Sequence, residues 1–70
     1  MIALEDFERE HAEALAQAAE FSRRARKGIP PDRWASTRQM YLVAKGIEAQ
    51  IQIMRWQAET LSALLQDGRE

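Results

Sequence analysis

Residues 31–66 read PDRWASTRQMYLVAKGIEAQIQIMRWQAETLSALLQ, and the period of their apolar positions decides the fold. On a helical projection, Met40, Val43, Ile47, Ile51, Met54, Ala58, Leu61 and Leu65 form one stripe in steps of three and four, the spacing of a buried helical seam. A second set, Leu42, Gly46, Ala49, Ile53, Trp56, Thr60 and Leu64, points roughly the opposite way. Lys45, Glu48, Gln52, Arg55, Glu59 and Gln66 separate the stripes on one flank, and Gln50 and Gln57 thinly divide them on the other. A helix that is apolar on two sides is sandwiched between neighbours, whereas a lone surface helix carries one stripe. One neighbour is therefore too few for this segment.

The neighbour within the chain is residues 3–27, whose inward positions are expected to be Leu4, Phe7, His11, Ala14, Leu15, Ala18, Phe21, Ser22 and Ala25. This face is narrow and alanine-rich, so two helix axes can approach closely, and it offers a single stripe. Glu5, Asp6, Glu8, Glu10 and Glu13 crowd its start while Arg23, Arg24, Arg26 and Lys27 crowd its end, matching the helix dipole at both ends. Between the halves stands Lys27-Gly28-Ile29-Pro30-Pro31-Asp32. Gly28 suits the left-handed residue that closes a helix, Pro30 precludes continuation, and Pro31 suits the first turn of the next helix.

The expected fold is all-α: an antiparallel two-helix hairpin, helix one over about 3–27 and helix two over about 31–66, completed by a partner or by dimerisation, with residues 1–10 either joined to helix one or forming a separate short piece. At about 1.5 Å per residue the helices are roughly 36 and 50 Å long, so the second projects beyond the first. Its last turns, with Leu61, Leu64 and Leu65, have only Met1 and Ile2 to lean on. Helix one is assigned to the first stripe, making Leu4, Phe7, Leu15, Ala18, Phe21, Met40, Val43, Ile47, Ile51, Met54, Leu61 and Leu65 the hairpin core. Leu42, Ala49, Ile53, Trp56, Thr60 and Leu64 are then left for a partner. The reverse assignment, with Leu42, Ile53 and Trp56 facing helix one, has the same periodicity, and sequence does not choose between them.

Seventy residues make one domain at most, marginal for a hairpin without staples, metal or association. With no cysteine, disulfides and thiolate metal sites are excluded. A net charge of −1 supplies no field for nucleic acid, and the basic cluster Arg23 to Lys27 is balanced by eleven carboxylates. No apolar run approaches the length needed for membrane insertion, and the acidic start lacks the features of a signal peptide, so the cytoplasm is the expected location.

His11 is the single histidine and sits on an inward face near Phe7 and Leu15, a packing or hydrogen-bonded position; no set of three or four metal ligands can be assembled around it. Ser22, Ser36 and Ser62 have no base beside them, and a two-helix chain has no cleft in which to shift a pKa. No enzyme activity, metal or cofactor is expected. Trp34 either anchors a partner or folds over the Pro30–Pro31 turn, and the second reading is favoured because aromatics beside tight turns close the local core. Trp56 lies on the stripe left for the partner, where tryptophan is enriched.

The run Arg26-Lys27-Gly28-Ile29-Pro30-Pro31-Asp32-Arg33-Trp34, followed by Gln39 and then Gly46-Ile47, resembles the small E-component co-chaperones of type III secretion needle subunits. In that family a basic residue and glycine end the first helix, a proline and an acidic residue begin the second, an aromatic follows, and a glycine interrupts the second helix at this distance. The likeness spans about Leu15 to Leu65; the chain departs from it at the bulky Tyr41 and Trp56, and residues 1–10 match only in length and acidity. The resemblance implies a non-catalytic hairpin that docks on a larger helical-repeat chaperone and helps keep a needle subunit monomeric in the cytoplasm until export. Two other classes use the same stripes: a homodimeric four-helix bundle of structural or regulatory role, and a small phage-type inhibitor that binds a host protein.

Overall fold

The computed structural model describes residues 3–68. These residues are helical with no strand: α1 spans Leu4–Glu10, α2 Ala12–Arg26, a single 3₁₀ turn Pro31–Arg33, and α3 Thr37–Asp67. The long α3 packs on α2, consistent with a helical hairpin. Phe7 meets Trp56, Ala14 and Ala18 meet Gly46, and Arg24 meets Trp34, so partners descend in number along α3 as they rise along the first half. The exposed Glu13–Arg38 pair, 3.7 Å apart, departs from simple alignment. Lying side by side, Glu13 would fall beside residue 49, about 16 Å along α3 from Arg38. The expected support of the last turns by Met1 and Ile2 lies outside the described residues.

Three expectations are corrected. First, the helix expected over 3–27 is divided at His11, whose backbone sits at φ −109°, ψ 16°. No Pro or Gly causes this. The His11 ring nitrogen Nδ1 lies 2.9 Å from the Phe7 carbonyl, which also accepts the His11 backbone N–H at 3.1 Å, and the ring stacks on Phe7 at 4.2 Å. A side chain competing for a ladder carbonyl is a recognised source of helix bending. The bend leaves Phe7 edge-on to Trp56, ring centroids 4.9 Å apart.

Second, the long helix begins at Thr37, not Pro31. Ser36 and Gln39 form a capping box: the Gln39 N–H donates to Ser36 Oγ at 3.1 Å, and the Ser36 N–H donates to Gln39 Oε1 at 2.8 Å. Two otherwise unpaired amides are satisfied reciprocally there. Pro31 does open a helical turn, but it ends at Trp34, which departs from helical geometry at φ −137°. Gly28 takes φ 76°, while its N–H donates to Ala25 O and that of Ile29 to Arg24 O, both at 3.0 Å, a Schellman closure of α2. Pro30 follows in extended conformation and starts the return.

Third, apart from Val43, which is buried as expected, the reverse of the assigned stripe faces the first half, the alternative that the sequence left open. The buried residues of α3 are Val43, Gly46 and Ala49, with Leu42, Ile53 and Trp56 half-buried beside them. Met40, Ile47, Ile51, Met54, Leu61 and Leu65, expected in the hairpin core, are 37, 42, 42, 58, 57 and 60 % exposed. On the other strand of the hairpin Ala14 and Ala18 are buried, Phe7, Leu15 and Phe21 are half-buried, and Leu4 is exposed. The physical reason is closeness. A Cβ at Gly46 would lie 2.1 Å from the Ala14 carbonyl oxygen and 2.7 Å from Ala18 Cβ, so the backbones touch where only Gly and Ala fit. An Ile or Met stripe cannot enter such a crossing.

The described chain measures 54 × 25 × 12 Å, one helix diameter thick. Domains bury helix faces between packed layers, and here a second layer is missing on the outer side of α3.

Candidate interaction face

The uncovered side of α3 is more regular than the sequence reading anticipated. With Val43 committed to α2, the exposed apolar residues of α3 include, besides Tyr41, Ala63 and Leu64, the set Met40, Ala44, Ile47, Ile51, Met54, Ala58, Leu61 and Leu65 along one side. Their steps are four and three in strict alternation, a heptad seam with an average period of 3.5 residues. Ala44 was missed because Val43 also fits a helical period and is the bulkier apolar residue; only its burial removes it from this face.

The flanks of the seam are polar and open. Glu48 and Arg55 border one side, Gln50 and Gln57 the other, and all four are exposed. Tyr41 extends the first flank toward the helix start, 58 % exposed, with the Lys45 ammonium 5.7 Å from its ring centroid. Lys45 also pairs with Glu48 at 3.7 Å, an exposed contact worth a fraction of a kcal/mol at most, roughly 0.3–0.5 as helix pairs go.

Of the residues expected to bind a partner, Leu42, Ala49, Ile53 and Trp56 are turned to the first half of the chain instead. Thr60 and Leu64 remain exposed, and the Thr60 hydroxyl donates to the Trp56 carbonyl at 3.0 Å. They line an open apolar cleft of about 690 Å³ between the start of α1 and the end of α3, together with Leu4, Trp56 and Leu61. This cleft lies where α3 faces α1 and shares only Leu61 with the seam.

The turn end is structural. Arg24 stacks on the Trp34 ring at 4.4 Å and its Nε donates to Glu20 at 2.5 Å, while Arg23 contacts the same carboxylate. The hydrogen bond from Arg24, reinforced by Arg23, holds the Glu20 carboxyl below the usual carboxylate range. Trp34 is half-buried against Arg24, and its buried indole N–H has no hydrogen-bond partner. His11 borders a shallow cleft with Phe7, Lys45, Glu48 and Gln52. Among the described residues no three His, Cys, Asp or Glu side chains converge as metal ligands, and no helix is long and apolar enough to cross a membrane.

No family model, curated protein or solved structure matches the chain.

Proposed function

We propose that this chain is a non-catalytic association module, an antiparallel helical hairpin that presents the seam of α3 to helices of other proteins. One observation carries the reading: all eight heptad positions from Met40 to Leu65 are exposed, on a helix whose opposite face is occupied as far as Trp56. A solvated stripe of this regularity costs stability in isolation and becomes favourable once covered, because burying each large aliphatic side chain contributes roughly 1.5–3 kcal/mol. The mode is helix packing with apolar anchors at heptad spacing.

Within that class the favoured role is a co-chaperone. The hairpin docks on a larger helical-repeat chaperone in the cytoplasm, and the pair keeps a type III secretion needle subunit unpolymerised. The support is the resemblance around Gly28, Pro31, Asp32, Trp34 and Gly46, together with a free face suited to helices. Co-expression with a repeat chaperone and a needle subunit tests it. A soluble ternary complex is expected with the unaltered chain and none with Ile51→Asp; needle polymerisation unaffected by either version would rule the role out.

A further inference from the structure

We infer that the seam of α3 is built to pair with itself, as an antiparallel coiled coil between two copies of this chain. The inference rests on reading that face as an association surface and names its occupant. Placing Ile51 opposite Met54 of a second, reversed α3 puts Met40 opposite Leu65, Ala44 opposite Leu61 and Ile47 opposite Ala58, each layer occurring twice about the two-fold axis. Each alanine then faces a large residue, so the layers are similar in volume. A parallel dimer in register instead sets Ala44 on Ala44 and Ala58 on Ala58, thin layers between thick Ile and Leu ones, which leave voids or strain.

The flanking charges select the same arrangement. In an antiparallel pair the residues bordering one side of the seam face their own kind, and this register brings Glu48 opposite Arg55 of the second copy twice, with Gln50 opposite Gln57 twice. Sliding the second helix by one heptad in one direction puts Glu48 against Glu48; sliding it in the other puts Arg55 against Arg55. Either slip also leaves two seam positions of each helix unpaired. A parallel dimer places Glu48 beside Val43 and Arg55 beside Gln50, with no charge complement. All four flanking polar residues are exposed, and α2 lies on the opposite side of α3, so nothing among the described residues obstructs the second copy. Four helices then form a bundle, and any other partner for the seam must displace the second copy.

The absence of cysteine makes cross-linking a direct test on the full chain. Ile47→Cys and Ala58→Cys variants, each alone, are expected to give little interchain disulfide, and their mixture a heterodisulfide. Efficient cross-linking of each variant to itself, with none between them, would establish a parallel pair and overturn the inference. In sedimentation, Glu48→Arg alone is expected to weaken the dimer roughly tenfold, and Glu48→Arg with Arg55→Glu to restore it to within about threefold. No recovery in the double variant overturns the register. A chain that stays monomeric at the highest attainable concentration overturns the pairing while leaving the ternary-complex experiment to judge docking on other helices. An assembly unaffected by Ile51→Asp would instead remove the seam itself as the association face.

Discussion

The two faces of α3 differ in side-chain size as much as in exposure. Toward α2 the helix sets Gly46 against Ala14 and Ala18, its other buried residues are Ala49 and Val43, and Val43 is the largest of them. Away from α2 it displays two isoleucines, two methionines and two leucines at heptad spacing. At Gly46 the backbones come close enough to require small residues, Leu42, Ile53 and Trp56 are half-buried on either side of that point, and a second set of large apolar residues is left exposed. Greatest hydrophobicity therefore does not identify the intramolecular seam. Fit does.

Several changes would break or sharpen this contrast. The largest effect is expected at Gly46→Val. Its Cβ would meet the Ala14 backbone at 2.1 Å, and a backbone atom cannot swing aside, so α3 must leave α2 and cooperative thermal unfolding by circular dichroism should be lost. Even Gly46→Ala should destabilise despite gaining about 1 kcal/mol of helix propensity; a higher unfolding midpoint would show that the crossing is loose. Next come aspartates on opposite faces. Val43→Asp buries an unpaired carboxylate and should unfold the chain, whereas Ile51→Asp should retain helicity and lose assembly in sedimentation. Equal loss of helix in both would erase the distinction between the faces.

Smaller effects probe the ends. Phe7→Ala removes the edge-on contact with Trp56, about 0.5–1.5 kcal/mol beyond the lost area, and should raise amide exchange over Leu4–Glu10 more than over α2. Uniformly faster exchange would mean that α1 and α2 open as one unit. Ser36→Ala should cost about 1 kcal/mol by exposing the amide of Gln39, read as a lower thermal midpoint. The smallest effect is electrostatic. Since the Glu20 carboxyl is held below its usual range, its ion pairs stabilise the fold at neutral pH, and that contribution disappears as pH falls through the carboxylate range. Glu20→Gln should flatten this part of the acid dependence, and an unchanged profile would show that the exposed cluster contributes nothing.

Much of the architecture was legible along the chain. Dipole-matched charges marked the first half, Gly28 and the two prolines marked the connection, and doubled periodicity marked α3 as a helix with two apolar faces. The capping box at Ser36 and Gln39 was also written there but was overshadowed by the stronger helix-start signal of Pro31. The division at His11 was not readable, because its cause is a ring that competes for a carbonyl while Phe7 reaches a tryptophan far along the chain.

Taken alone, the amino-acid sequence determines that the second half of the chain forms one long helix and that this helix carries two apolar stripes, since both follow from local periodicity. Which stripe is enclosed, and hence which one faces outward, was decided only by the tertiary structure. Periodicity records where side chains point and nothing about how near the neighbouring backbone comes. At Gly46 that distance is too short for any side chain, and so the stripe that carries this glycine is the one enclosed.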